Sequence, residues 1–96
     1  MAKRITQQFA VVETNGQKRP LELVGRNAWA LSELVKAGPD GCTPIDTPGP
    51  RWSGYVHKLR HSYGLQIETH DEPHHGQYAG IHARYVLRDM VEIVGS

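Results

Sequence analysis

Ninety-six residues, 39% of them apolar, with a formal charge of +1, suit one small folded domain with a modest core and leave too little chain for two. The near-neutral balance excludes nucleic-acid affinity carried by bulk charge, so any charged partner must be recognised by local placement. A single cysteine, Cys42, excludes an internal disulfide and a cysteine-rich zinc site, which fits a reducing compartment.

The opening MAKRITQQ has cations but no apolar run behind them of signal-peptide length, and nowhere do about eighteen apolar residues follow one another. A cytoplasmic protein without a membrane span is expected. In 7–24, Phe9 and Val11 alternate with Ala10 and Val12, and Leu21 and Leu23 with Glu22 and Val24. These runs flank Asn15-Gly16, a pair that accepts two positive φ angles in a type I′ turn, so they predict a β-hairpin with one core face. Next, Ala28, Leu31, Leu34 and Val35 recur at helical spacing with Trp29 beside the stripe, and Gly38-Pro39 stops the helix. In CTPIDTPGP, Thr43 as cap, Pro44 at the first helical position and Asp46 at the capping-box position predict a very short second helix.

The stretch 50–63, PRWSGYVHKLRHSY, predicts a third helix. At about 100° per residue, Trp52, Tyr55, Val56, Leu59 and Tyr63 share a sector roughly 100° wide that faces a core. Gly54, His57, Lys58 and His61 occupy the opposite side, Arg51 and Arg60 flank it, and Gly64 closes the helix. Gly54 is informative, because an exposed mid-helix glycine costs about 1 kcal/mol relative to alanine and suits a place where another backbone comes close. After it, Leu65, Ile67 and Thr69 alternate with Gln66, Glu68 and His70. Ile81, Ala83, Tyr85 and Leu87 alternate in the same way with His82, Arg84, Val86 and Arg88. They predict an antiparallel pair over 65–88, with the polar DEPHHGQYAG protruding between them and 91–94 returning as a last strand to the N-terminal hairpin.

Two helices, a third amphipathic one and a β-hairpin give the order of a winged helix-turn-helix domain. The run LELVGRNAWALSELVKAGPDGCTPIDTPGPRWSGYVHKLRHSYGLQIETH, continued by HARYVL, resembles the small winged-helix domain proteins of bacterial and phage genomes over roughly residues 20–88. GRNAWAL, YVHKLR, GLQIET and RYVL are its most distinctive pieces. The resemblance implies an α+β fold, 1–96 being one domain: a three-helix core within 26–63, a C-terminal wing and the additional N-terminal hairpin. It also implies double-stranded DNA as partner. The third helix would enter the major groove near Arg51, Ser53, Gly54, His57, Lys58 and His61, and the wing would reach backbone or minor groove near His74, His75 and Gln77. The extra hairpin departs from the minimal pattern and leaves room for a protein partner as well.

General chemistry runs parallel to this: arginine pairs bidentately with guanine, histidine bonds a base edge, and lysine meets phosphate as a point charge. Arg60 and Arg84 join the same candidate surface. One module of this size buries only about 600–1,000 Å² on DNA, so a homodimer is expected, with the edge of the N-terminal hairpin or the C-terminal strand as its surface. His57 and His61 have i, i+4 spacing for a metal, but without an HExxH motif or a second cluster they read as surface histidines. No phosphate-cradling glycine loop or nucleophile elbow occurs. No enzyme, cofactor, metal or small-molecule substrate is therefore expected. The rival to a DNA-binding regulator is a protein-interaction adaptor, and a phage or mobile-element accessory factor is a third use of the same fold. Charge clustering discriminates: one positive surface favours DNA, whereas Glu13, Glu22, Glu68 and Glu72 interrupting it favours a protein.

Overall fold

The computed structural model describes residues 6–47, 51–74 and 80–94. Strands β1 (Thr6–Val12) and β2 (Lys18–Val24) precede helix α1 (Arg26–Ala37) and a 3₁₀ turn (Gly38–Asp40). Helix α2 (Trp52–Ser62) follows, then β3 (Ile67–His74), β4 (Gly80–Leu87) and β5 (Met90–Val94). An antiparallel sheet of order β2-β1-β5 holds the N-terminal hairpin and the returning last strand, while β3 and β4 form a separate two-stranded wing.

Alternation decides which face of the first sheet is inner. Phe9, Val11, Leu21, Leu23 and Val91 are buried there, and Leu31 and Leu34 of α1 are buried in the same cluster. Helix α1 touches α2, β2, β4 and β5, so a single core joins the two sheets. Its end follows the sequence: Gly38 has φ 60° and donates its N–H to the carbonyl of Leu34, and Pro39 prevents continuation.

Four expectations need correction. Only Gly16 (φ 87°) takes a positive φ in the first hairpin loop, so the turn is not type I′. Gly16 N–H bonds Glu13 O (2.9 Å) and Glu13 N–H bonds Gln17 O (2.7 Å), a turn closed by a glycine bulge, with Asn15 Oδ1 accepting from Gln17 N–H at 3.0 Å. The three-helix core is also absent among the described residues, where α1 and α2 are the α-helices. Thr43 caps as expected, its Oγ1 accepting the N–H groups of Ile45 (3.2 Å) and Asp46 (2.9 Å). Only one turn follows, closed by Thr47 N–H on Thr43 O at 2.9 Å. Four residues cannot propagate a helix. Asp46 does not complete a capping box but faces Arg84.

Helix α2 starts at Trp52 rather than at 50, with Arg51 as its N-cap. Burial along β4 does not follow one face: Ile81 is 72% exposed near the wing end, whereas Val86 of the opposite face is buried. The segment before the capped turn covers Val86. Cys42 and Tyr85 exchange two backbone hydrogen bonds of 2.8 Å, and Gly41 lies so close that a Cβ there would stand 2.5 Å from Tyr85 O and 2.8 Å from Val86 Cγ2.

Candidate nucleic-acid interface

Aromatic packing fixes α2. The Trp52 ring stacks on Tyr85 (centroids 6.0 Å, 20°) and lies 5.3 Å from Trp29, which meets Tyr55 edge-on at 6.5 Å. Its Nε1–H donates to Thr47 O at 2.8 Å. With Trp52, Val56 and Leu59 buried, helical geometry turns Ser53, Gly54, His57, Lys58 and His61 to solvent, and all five are exposed. Arg51 is exposed as well, in a left-handed conformation (φ 62°, ψ 41°) that among the described residues no other non-glycine adopts. Its carbonyl accepts Gly54 N–H (3.0 Å) and Tyr55 N–H (3.2 Å), which starts the helix. The His57 and His61 rings lie 4.3 Å apart on the outward face.

No acid occurs in α2, and neither Arg51 nor Lys58 makes an ion pair among the described residues. A Cβ placed on Gly54 would meet only Arg51 Cβ, at an ordinary 3.9 Å. Among the described residues no packing calls for a glycine here. Together with Tyr55 and with Asn27 of α1, these three residues line a shallow groove between the helices. Tyr55 packs against the core as its helical position requires and also lines the groove, whereas Asn27 is not among the expected contacts, although a polar residue in the first turn of an uncapped helix, off its apolar stripe, is a signal.

The other expected contacts are arranged differently. Arg60 turns away and donates to Ile67 O (2.5 Å) and Thr69 Oγ1 (3.0 Å), bracing α2 against β3. Arg84 is held by Glu72 (2.5 Å), Asp40 O (2.7 Å) and Asp46 (3.5 Å), tying the wing to the segment between the helices. Arg88 pairs with Glu68 at 2.7 Å, and His70 and His82 lie 2.9 and 3.3 Å from Glu68 and Glu72. Hydrogen bonds from Arg88 and then His70 hold Glu68 below the ordinary carboxylate range. Arg84 does the same for Glu72, whose carboxylate in turn raises the guanidinium. The cations of the described wing are thus all paired, and with Asp71 exposed as a third acid beside Glu68 and Glu72 the wing leans acidic, while the outward face of α2 is cationic. His74 ends β3 opposite Gly80; His75 and Gln77 lie outside the described residues.

Burial pushes the Cys42 thiol up, the opposite of what an activated nucleophile needs. Among the described residues no three His, Cys, Asp or Glu side chains are grouped to hold a metal, and no helix is long and apolar enough to cross a membrane.

No curated protein and no solved structure matches the chain. A family of winged helix domains does match, over residues 20–96, which takes in α1, α2, both wing strands and β5. Winged helix domains are in general DNA-binding modules and typically not enzymes. With its matched span covering most of the sequence, and an amphipathic helix braced beside a two-stranded wing, this chain belongs to the winged helix domain family.

Proposed function

We propose that this protein is a double-stranded-DNA-binding regulator that reads the major groove with α2. The observation that carries the reading is the outward face of that helix: among the described residues it presents two cations without ion pairs, two histidines, no acid, and a glycine whose open side no side chain fills. A B-DNA major groove admits a helix, and a glycine there lets the helix backbone approach the duplex. Arg51, Ser53 and Gly54 are the N-terminal residues from which such helices reach bases, with His57, Lys58 and His61 further along. The wing loop, with His74, His75 and Gln77, would touch the backbone beside it. Arg60 and Arg84 act from behind, as braces. Two copies on a two-fold site fit the small footprint of one module, and the outer strands β2 and β5 of the first sheet are the edges available to join them.

Anisotropy of a labelled mixed-sequence duplex at two salt concentrations tests this. Salt-sensitive binding that falls in Arg51→Ala/Lys58→Ala, with the circular dichroism of the fold retained, is the expected result. Equal affinity of that variant and the wild type would overturn it. One observation favours a protein-interaction adaptor as second reading: the wing side carries three acids, Glu68, Asp71 and Glu72, against Arg84 and Arg88, and the exposed Ile81. A wild type that binds no duplex selected from random sequence at low salt would transfer the assignment there.

A further inference from the structure

Five of the nine cations among the described residues are committed within the chain: Lys18 to Glu92, Arg19 to Glu13, Arg60 to β3, Arg84 to Glu72 and Asp46, and Arg88 to Glu68. The uncommitted four, Arg26, Lys36, Arg51 and Lys58, are on α1 or at α2. Arg51 and Lys58 meet at the groove between the helices, where the other polar side chains are Asn27 and Tyr55. None of these four side chains has a hydrogen bond within the described residues. Every one of them offers a donor: a guanidinium, an ammonium, a carboxamide N–H₂ and a phenolic O–H. Gly54 leaves the groove open on the α2 side. Donors from two elements, a double positive charge and no lining carboxylate describe a seat for a tetrahedral oxyanion.

We infer that the groove lined by Asn27, Arg51, Gly54, Tyr55 and Lys58 seats one phosphate group of a DNA strand. Asn27, on α1, and Tyr55, on the α1-facing flank of α2, are thereby new binding residues beside the outward row of His57 and His61. The inference rests on the DNA-binding reading and adds an orientation to it. At about 100° per residue, Arg51 and Lys58 fall on the flank of α2 toward α1, His57 and His61 face outward, and Arg60 falls on the flank toward β3. With the outward row at the base edges, the α1 flank meets one sugar–phosphate strand. The carboxamide of Asn27 then bonds a phosphate oxygen from the helix that does not enter the groove. This fixes the angle at which α2 lies without carrying sequence information.

Two measurements on the full-length chain separate the inference from the reading beneath it. In the first, inorganic phosphate is titrated at constant ionic strength while the Asn27 side-chain amide and the Gly54 backbone amide are followed by NMR. Saturable shifts at both, lost in Arg51→Ala/Lys58→Ala, are expected. In the second, duplex affinity is compared for Asn27→Ala, Asn27→Asp and Tyr55→Phe, with Lys36→Ala as a remote cation control. Loss of one hydrogen bond predicts roughly a fivefold weakening for Asn27→Ala. Asn27→Asp, which sets a carboxylate against the phosphate, should weaken binding at least about tenfold. Asn27 variants should leave the salt slope unchanged, since no counterion-releasing charge is removed, whereas Arg51→Ala/Lys58→Ala should reduce it by about 0.9. Phosphate shifts together with a wild type that binds no DNA would leave an anion seat and overturn the DNA reading. Phosphate shifts together with wild-type DNA affinity in Asn27→Asp would assign the groove to a free phosphate compound and overturn the phosphodiester. No shift and no effect of Asn27→Asp would overturn the inference outright.

Discussion

Gly54→Ala separates what the fold needs from what a ligand needs. The added methyl meets one atom, Arg51 Cβ, at 3.9 Å, so it creates no clash, and the position is helical without a positive φ. Replacing this exposed glycine in the first turn of α2 by alanine then stabilises by up to about 1 kcal/mol, chiefly by reducing the conformational entropy of the unfolded chain. For a domain of this length that is a rise of up to roughly 4–8 °C in Tm. The same methyl projects into the face where the duplex backbone or base edges come close. Overpacking a fitted contact costs about 1–3 kcal/mol, so duplex affinity should fall roughly five- to 150-fold. Differential scanning calorimetry and anisotropy on one preparation give both numbers. The expected signature is opposite signs, a more stable protein that binds more weakly. Unchanged affinity would refute the claim that Gly54 is kept clear for DNA, and a lowered Tm would refute the claim that nothing in the fold requires it.

Gly41→Ala is the converse case: φ of 68° and a Cβ 2.5 Å from Tyr85 O make the methyl both strained and blocked by backbone. A loss beyond about 1–2 kcal/mol in urea unfolding is expected, and a smaller loss would mean that the Cys42–Tyr85 bridge yields easily. For acid, the sign follows from Glu68 and Glu72, whose folded values lie below their unfolded ones because Arg88 and Arg84 donate to them. The stability they add is fully present above the unfolded carboxylate value and disappears as pH falls through the folded values. Tm against pH should therefore drop on the acid side, and Arg84→Ala/Arg88→Ala, less stable at neutral pH, should show a shallower drop. An acid limb identical to that of the wild type would show that other groups control it.

Most of the fold was legible because its elements are amphipathic with clean periods. Phe9, Val11, Leu21 and Leu23 alternate, Ala28, Leu31 and Leu34 recur helically, and each set is buried as its period requires. The glycine loop of the first hairpin was misjudged because Asn-Gly fits more than one loop geometry, and the choice lies in backbone bonds that only the paired strands fix. The short second helix failed on length, since Pro44, Pro48 and Pro50 leave too few donors for more than one turn. Charge placement was legible on α2, where 3.6-residue geometry sorts side chains by angle. It was not legible for Arg60, Arg84 and Arg88, because their partners lie 7 to 44 residues away in sequence and are brought near by tertiary packing. A cation count treats a brace and a free charge alike. Only the fold tells them apart.

That distinction yields a number. Had the arginines of α2 and the wing all met phosphate, binding would depend steeply on salt. With Arg60, Arg84 and Arg88 committed internally, Arg51 and Lys58 are the cations left on the described interface. At about −0.9 per neutralised phosphate, one protein copy whose Arg51 and Lys58 share a single phosphate should give a slope of log K against log salt near −0.9, and two copies near −1.8. A plot of log K at four or more salt concentrations, with stoichiometry from analytical ultracentrifugation, therefore reads both the interface and the assembly. Slopes well beyond −1.8 would mean that the internal ion pairs open on DNA and release their arginines, which would refute their assignment as braces. A slope near −0.9 in Arg51→Ala with a single bound copy would identify Lys58 as the remaining phosphate contact. The near-neutral net charge is then no obstacle to DNA binding, because affinity of this kind depends on which cations lack an internal partner rather than on how many the chain contains.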